Sequence, residues 1–155
     1  MHNRIIQVSK KPICESDYIT EDKYYDHWFT YQIADYVSGD VDREEDIEWF
    51  KSASAGIVVD KDEHGHYFMI SDKEKYFKGQ FNEFNRILSE LNGITINDFI
   101  NNIDYKAFIL RNSYEDKYGF YIDEDDDNMS SLDSFVRHGE INVKYYIGGI
   151  VDYHS

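Results

Sequence analysis

The sequence contains very little cysteine or proline and no long apolar run. One cysteine and one proline occur among 155 residues. The single Cys14 excludes an intramolecular disulfide and a zinc cage built from several cysteines of this chain. No apolar stretch approaches the ~20 residues that a membrane helix needs, and the apolar run near Met1 is too short for a signal peptide. We therefore expect one soluble, cytoplasmic domain that covers residues 1–155.

Positive charge is also scarce. The chain has 16 basic and 31 acidic residues, which gives a net charge of −15. Such an acidic chain repels nucleic acids and anionic lipids, so we expect neither as a direct partner. Most of the charge lies in a first acidic window, residues 35–48, and a second acidic window, residues 114–127. Each window holds seven acids and one base, which predicts two strongly negative loops or faces.

Familiar catalytic motifs are absent as well. The sequence has no Gly-x-Ser-x-Gly nucleophile elbow and no glycine-rich phosphate loop. Gly148 and Gly149 lie inside a strand-like run, where a β-bulge or a close backbone approach explains them. Cys14 stands beside Glu15 and two residues after Pro12, a polar and acidic setting that does not favour a reactive thiol. We expect no cofactor and no enzymatic activity.

Residues 72–92 carry the clearest secondary-structure pattern. Apolar residues follow one another at spacings of four, three, four and three, namely Phe77, Phe81, Phe84, Leu88 and Leu91. This spacing places them on one face of a helix. Ser71 and Glu74 are spaced as a capping box, and Asn92-Gly93 is typical of a helix end. The pattern predicts a long amphipathic helix that packs on a sheet or on another helix.

Shorter patterns surround this helix. Aromatic and β-branched runs predict strands at residues 4–10, on both sides of Asp62-Glu63-His64-Gly65, and in YKAFILRN, KYGFYID and INVKYYIGGIVDY. Cap and spacing signals predict short helices after Asp42, at 94–103 and in SSLDSFVRHG, and favour a helix over a strand at 24–37. The order of elements indicates an α+β fold: a mainly antiparallel sheet with one long amphipathic helix (about 72–92) and two to four shorter helices.

The run YIDEDDDNMSSLD matches a calcium-binding loop only in part. Starting from Asp123, it has aspartates at positions 1, 3 and 5 of an EF-hand loop. Position 6 is Asn128 where glycine is needed, and position 12 is Ser134 where a bidentate glutamate is needed. A solvated loop whose Ser-Ser pair starts a helix explains the run better. Loose cation binding at residues 123–127 is left open.

A second group of candidate ligands lies in the predicted β-hairpin. His64 and His66 are two residues apart, so on a strand they share one face, with Asp60 or Asp62 as a third ligand. Such a site would make the chain a small metal-dependent enzyme or a metal-binding protein. The sequence offers no further histidine in a suggestive position, so this reading is the alternative hypothesis.

Tyrosine is abundant and often stands beside an acid. The chain has 14 tyrosines and two tryptophans, with pairs such as Tyr25-Asp26, Asp35-Tyr36 and Tyr114-Glu115. Tyrosine and tryptophan are enriched at protein interfaces, and an acidic aromatic surface suits a basic protein site. We therefore expect a non-enzymatic acidic protein that blocks a basic surface of a partner protein, for example a nucleic-acid-binding enzyme.

The acids of the two windows are the predicted partner contacts. They are Asp40, Asp42, Glu44, Glu45, Asp46, Glu48, Glu115, Asp116, Asp123, Glu124, Asp125, Asp126 and Asp127. The twelve net negative charges of the windows match about 20 Å of duplex DNA axis, at one charge per ~1.7 Å. Small anti-restriction and anti-CRISPR inhibitors, and immunity proteins against nuclease toxins, are similar in this composition. The sequence leaves open whether the two windows share one face.

Overall fold

The structure is a computed structural model and describes residues 1–124 and 128–155. Its centre is a sheet of the strands β1 His2–Ser9, β2 Tyr36–Ser38, β3 Ile57–Asp62, β4 Gly65–Ile70, β5 Tyr121–Glu124, β6 Asn128–Ser131 and β7 Tyr145–His154. The spatial order is β3-β4-β7-β1-β5-β6, and β2 pairs with the end of β7. Only β1 and β5 are parallel among the described strands.

Five α-helices accompany the sheet in the described part of the chain. They are α1 Trp28–Gln32, α2 Arg43–Ala53, α3 Lys73–Asn92, α4 Ile96–Asn112 and α5 Leu132–His138. Two short 3₁₀ helices, Glu15–Asp17 and Glu21–Tyr24, precede α1. The predicted α+β fold with a mainly antiparallel sheet and one long helix is confirmed.

Each face of the sheet carries its own hydrophobic core. Ile5 and Ile6, neighbours on β1, belong to different clusters because successive strand residues point to opposite faces. On the Ile6 face, α2, α5 and the start of α3 pack, and the rings of Phe50 and Phe68 meet edge to face. On the Ile5 face, the 3₁₀ helix at Glu21–Tyr24 and α1 pack, with Phe29 fully buried.

Gly148 and Gly149 form the predicted bulge where β7 pairs with β1. The register of this pair shifts between Ile6 and Val8. The amide of Gly149 donates a hydrogen bond to Oε1 of Gln7 at 2.9 Å. A Cβ atom on Gly149 would lie 2.7 Å from the backbone nitrogen and the backbone oxygen of Ile19, so this close approach requires glycine.

Helix α3 matches the predicted span, with one correction at its start. The cap is Asp72, whose carboxylate accepts a hydrogen bond from the Lys75 amide at 2.9 Å. The hydroxyl of Ser71 donates instead to the carbonyl of Gly56 at 2.9 Å, beside the end of β4. The predicted capping box of Ser71 and Glu74 is therefore wrong, because a tertiary contact holds the serine.

Helix α4 overturns the predicted strand in YKAFILRN. The predicted capping box of Thr95 and Asp98 forms at its start. The helix then continues to Asn112 and does not end near residue 103. No proline or glycine lies in residues 96–112, so a helix that has nucleated at the cap has no reason to stop earlier.

The ambiguous segment 24–37 contains both structures. Residues Trp28–Gln32 are helical, whereas Tyr36–Ser38 form β2. Pairing with the end of β7 decides the second half in favour of a strand. The predicted helix over residues 24–37 is therefore wrong outside Trp28–Gln32.

Helices α3 and α4 form a helical hairpin, residues 73–112, which we distinguish from the rest of the protein, the body. The structure describes both helices completely, and they bury only Ile87. At the base, the buried Asp133 of α5 accepts hydrogen bonds from the Tyr76 hydroxyl at 2.8 Å and the Gln80 amide at 2.6 Å. The hairpin is thus fastened to the body at its base, and beyond it the two helices pack on each other.

Candidate partner-binding surface

The predicted contact acids differ in how accessible the fold leaves them. The exposed ones are Asp40, Asp42, Glu44, Glu45, Glu48 and Asp116. Glu115 and Glu124 are half-buried, and Asp46 and Asp123 are buried. Asp125, Asp126 and Asp127 lie outside the described residues.

Asp46 faces the interior from the first turns of α2. Its Oδ2 accepts a hydrogen bond from Nε of Arg4 at 2.8 Å, and Arg4 also pairs with the buried Asp152. The Arg4 guanidinium lies 5.2 Å from the ring centroid of Trp49. This network holds α2 on the sheet, which corrects the prediction that Asp46 contacts a partner.

Asp123 is buried on the other face of the sheet and is 2% exposed. Its carboxylate accepts hydrogen bonds from the Tyr24 hydroxyl and from the Lys23 ammonium, the latter at 3.0 Å. A buried carboxylate is tolerated only with such partners. Asp123 therefore fastens the 3₁₀ helix Glu21–Tyr24 to β5, and its predicted role as a partner contact is corrected.

Two of the remaining acids, one from each window, lie at different strands. Glu44 is 3.6 Å from Nε2 of His66 on β4. Glu115 accepts a hydrogen bond from the hydroxyl of Ser131 on β6 at 2.5 Å. In the sheet order β4 and β6 are four strand spacings apart, which is roughly 19 Å at ~4.8 Å per spacing. The two acidic windows do not merge at these positions.

Another acidic surface forms around the first window, from residues 21–36. Four aromatic side chains are exposed there: Tyr25 at 64%, Trp28 at 40%, Tyr31 at 70% and Tyr36 at 48%. The acids of the same segment are Glu21, Asp22, Asp26 and Asp35. We call these eight residues the acidic–aromatic surface. The hydroxyls of Tyr25 and Tyr31 lie 3.4 Å from carboxylate oxygens of Glu21 and Asp26, respectively.

The elements that carry this surface are tied together by polar and ring contacts. The Tyr36 ring of β2 stacks on His154 of β7 at a centroid distance of 5.4 Å. Nδ1 of His154 lies 3.4 Å from the Asp35 carboxylate. The carboxylate of Glu21 accepts a hydrogen bond from the Gly39 amide, just after β2. The 3₁₀ helix and β2 are therefore held beside each other.

Lys23 and Arg43, the two Lys or Arg residues of positions 21–48, point into the body. Lys23 pairs with the buried Asp123 at 2.9 Å. Arg43 donates hydrogen bonds to the carbonyls of Gly148 at 2.8 Å and Ile147 at 2.7 Å. The outward side of this region therefore presents carboxylates and aromatic rings.

The raised pKa of Tyr25 indicates a negative electrostatic potential at the acidic–aromatic surface. The pKa of Tyr25 is raised above its ordinary value, chiefly by the Glu21 carboxylate and to a smaller extent by burial and by Asp22. Neighbouring carboxylates oppose the formation of a phenolate because like charges repel. The same potential attracts arginine and lysine, whose cations also bind the faces of aromatic rings.

The sequence shows tyrosines beside acids, but it does not show which of these tyrosines are exposed. In the pair Tyr24-Tyr25, the first ring is buried and the second is 64% exposed. Two identical neighbours can be identified as buried or exposed only when the packing of the 3₁₀ helix is known. The sequence alone therefore does not identify the exposed aromatic side chains of residues 25–36.

The residues of the alternative metal site lie on the β3–β4 hairpin but engage other groups. The Lys144 ammonium donates to Asp62 at 2.7 Å and lowers the pKa of Asp62 to about 2. Asp60 accepts from a neighbouring backbone amide, and His64 and His66 each face a different glutamate. Burial lowers the pKa of His66. Among the residues that the structure describes, no group of three or more metal-ligating side chains is placed to hold a metal ion.

Two further findings concern the chain as a whole. Over residues 1–124 and 128–155, no helix is both long and apolar enough to cross a membrane. No family model matches the sequence, and neither the curated proteins nor the solved structures contain a match to it.

Proposed function

We propose that the protein is a non-enzymatic binding protein whose acidic–aromatic surface occupies a basic surface of a partner protein. The proposal rests on four exposed aromatic rings beside four acids, with Lys23 and Arg43 turned inward. Arginine and lysine of a partner would form ion pairs with the carboxylates and cation–π contacts with the rings.

The favoured partner is a nucleic-acid-binding protein. Surfaces that hold nucleic acid are rich in arginine and lysine because they neutralise phosphates. The exposed acids of α2 follow the acidic–aromatic surface directly along the chain, since Asp42 caps α2 four residues after β2 ends. Aromatic anchors with a charged rim are the usual anatomy of a protein interface. The protein would thus inhibit its partner by covering the site of the nucleic acid.

The test is affinity capture from a cell extract with matched variants. The parent protein should retain a basic protein at about 0.05 M salt and release it at about 0.5 M salt, because screening weakens exposed charge pairs. Excess duplex DNA should also displace that protein. The site variant carries Asp22→Asn, Asp26→Asn and Asp35→Asn, and it should lose the captured protein.

The control removes the same charge elsewhere on the body, with Asp60→Asn, Glu63→Gln and Glu140→Gln. It should capture as well as the parent if the acidic–aromatic surface is the binding site. Equal loss with both variants would show that net charge alone causes capture. A captured protein that duplex DNA cannot displace would contradict the proposed partner class.

A further inference from the structure

The helical hairpin exposes a large apolar surface that its own packing does not explain. On α3, Phe81 is 62% and Leu88 is 39% exposed. On α4, Ile96, Phe99 and Ile100 are 75%, 56% and 70% exposed. Single exposed apolar residues are ordinary, but a concentration on one element marks an interaction site.

Both helices carry the same apolar spacing. The α3 residues Phe77, Phe81, Phe84, Leu88 and Leu91 have spacings of four, three, four and three. The α4 residues Ile96, Ile100, Ile103, Ala107 and Leu110 repeat these spacings. The structure describes all ten residues, and none is buried. Such stripes are what helices of a bundle present to one another.

An apolar groove lies at the base of the hairpin. Phe77, Phe81 and Phe84 of α3 line it together with Tyr114 and Arg137, and its volume is about 490 Å³. The guanidinium of Arg137 covers the Phe77 ring at 4.7 Å. The groove is large enough to receive an apolar side chain from outside.

Charge in the hairpin is distributed differently from charge in the body. Residues 73–112 hold six bases and five acids, a net charge of +1, whereas the rest of the chain has a net charge of −16. The base half, residues 73–82 and 105–112, has five bases and one acid. The tip half, residues 83–104, has four acids and one base. The base of one hairpin is therefore complementary in charge to the tip of another.

We infer that a second copy of the chain covers this surface in an antiparallel, two-fold symmetric dimer. In this dimer Ile96, Phe99 and Ile100 at the tip of each hairpin pack into the base groove of the other. Residue sets that contact each other reciprocally are the mark of a closed two-fold interface. This inference concerns the hairpin and does not depend on the function proposed for the acidic–aromatic surface.

The size of the apolar surface suits such a dimer. Phe81, Leu88, Ile96, Phe99, Ile100 and Tyr114 are 39–75% exposed. At roughly 100–150 Å² each, they supply on the order of 700 Å² per copy, because a large aromatic side chain covers 150–250 Å². A standard stable interface buries about 800 Å² per partner. The estimated area therefore reaches the range of a stable interface.

The antiparallel arrangement also keeps the two acidic bodies apart. Helix α3 has 20 residues, so the bodies lie at opposite ends of a bundle about 30 Å long, at 1.5 Å per residue. Screening lengths are about 8–10 Å at moderate salt, so repulsion across the bundle is weak. A parallel arrangement would bring the two bodies together and the like-charged ends into contact.

The oligomeric state tests the inference. Sedimentation equilibrium of the full chain should give twice the chain mass of 18.4 kDa. Ile100→Glu should weaken dimerisation roughly tenfold or more, because it places a charge inside a desolvated contact. Tyr105→Glu, at a site 68% exposed and outside both stripes, should leave the dimer intact. Both sites are exposed, and circular dichroism should show unchanged helix content.

A cross-linking experiment tests the orientation. In a Cys14→Ser background, Phe81→Cys and Ile100→Cys proteins are prepared separately, mixed and oxidised. The antiparallel dimer predicts disulfides between position 81 of one copy and position 100 of the other. Disulfides confined to like positions would overturn the antiparallel arrangement, and a parent protein that stays monomeric at about 0.5 mM would overturn the dimer.

Discussion

The body and the helical hairpin differ in where they place their aromatic and charged side chains. In the body, aromatic rings such as Phe50 and Phe68 are buried, and acids crowd the surface. In the hairpin, the charges nearly cancel while Phe81 and Ile100 face solvent. A sheet with a core on each face can stabilise a highly charged exterior, whereas two helices that pack only on each other beyond their base leave apolar faces uncovered. The contrast separates the electrostatic docking surface that we propose for the body from the apolar one that we propose for the hairpin.

The largest difference should appear when phenylalanine is truncated in each region. Phe68→Ala removes a fully buried ring that contacts Phe50, Phe135 and Tyr145, and it should cost about 4 kcal/mol in the free energy of unfolding. Phe108→Ala removes a ring that is 63% exposed on α4, and it should change stability by less than ~0.5 kcal/mol. Urea unfolding followed by circular dichroism measures both. Equal costs would mean that the hairpin has a core of its own.

A second pair of variants compares the two arginines that bridge carboxylates. Arg4 joins the buried Asp46 and Asp152, whereas Arg86 joins Glu83 and Glu90 on the surface of α3. Arg4→Met leaves the buried Asp46 without its cation and Asp152 with only His2 as an ion-pair partner, and it should cost about 3 kcal/mol.

Arg86→Met should leave stability unchanged within error, because solvent already screens the pairs that it breaks. Chemical denaturation of both variants at about 0.1 M and about 1 M salt distinguishes the buried ion pairs from the exposed ones. The loss of stability in Arg4→Met should persist at high salt. A salt-sensitive loss at Arg4 would contradict the burial of its carboxylates.

The junction between the two regions should respond to loss of Asp133. Its carboxylate accepts hydrogen bonds from the Tyr76 hydroxyl, the Gln80 amide and the Asp116 backbone amide, the last at 2.6 Å. Asp133→Ala leaves these donors without an acceptor and should cost about 2 kcal/mol. Hydrogen exchange should increase in the first turns of α3. Faster exchange across the sheet, with the hairpin unchanged, would refute the role of Asp133 as the hairpin anchor.

Local signals predicted the elements whose cap, spacing and turn residues agreed. Helix α2 begins after its Asp42 cap, and Gly65 adopts a φ of 123° in the β3–β4 turn. The second half of α4 could not be predicted in the same way, because its aromatic and β-branched residues also suit a strand. In the structure these residues continue the helix that starts at the Thr95 capping box.

The candidate site was less predictable than the fold because charge density does not reveal exposure. Glu45 and Asp46 are neighbours on α2, yet one is exposed and the other is buried against Arg4. Asp123 likewise stands in an acid run but faces Tyr24, 99 residues away. Such partners are distant in sequence, so only the tertiary fold identifies them. The sequence therefore does not show which acids and which rings are exposed beside each other.

The smallest expected effect is the alkaline sensitivity of the body. The pKa of Tyr121 is raised from an ordinary value of 10 to about 12, chiefly by burial and to a smaller extent by the Glu115 and Asp116 carboxylates. Above pH 10 the unfolded chain therefore releases a proton that the folded chain keeps. This contribution to stability is complete below pH 10 and declines as the pH rises towards 12.

Tyr121→Phe should reduce this pH slope by up to one proton, as measured by urea unfolding between pH 9 and pH 11. The slope should not vanish, because burial also raises the pKa of Tyr76 and Tyr153. The variant also loses the hydrogen bond from the Tyr121 hydroxyl to the Lys117 carbonyl, which costs about 1 kcal/mol throughout this range. A pH slope in Tyr121→Phe equal to that of the parent would contradict a contribution of Tyr121 to the alkaline sensitivity of the body.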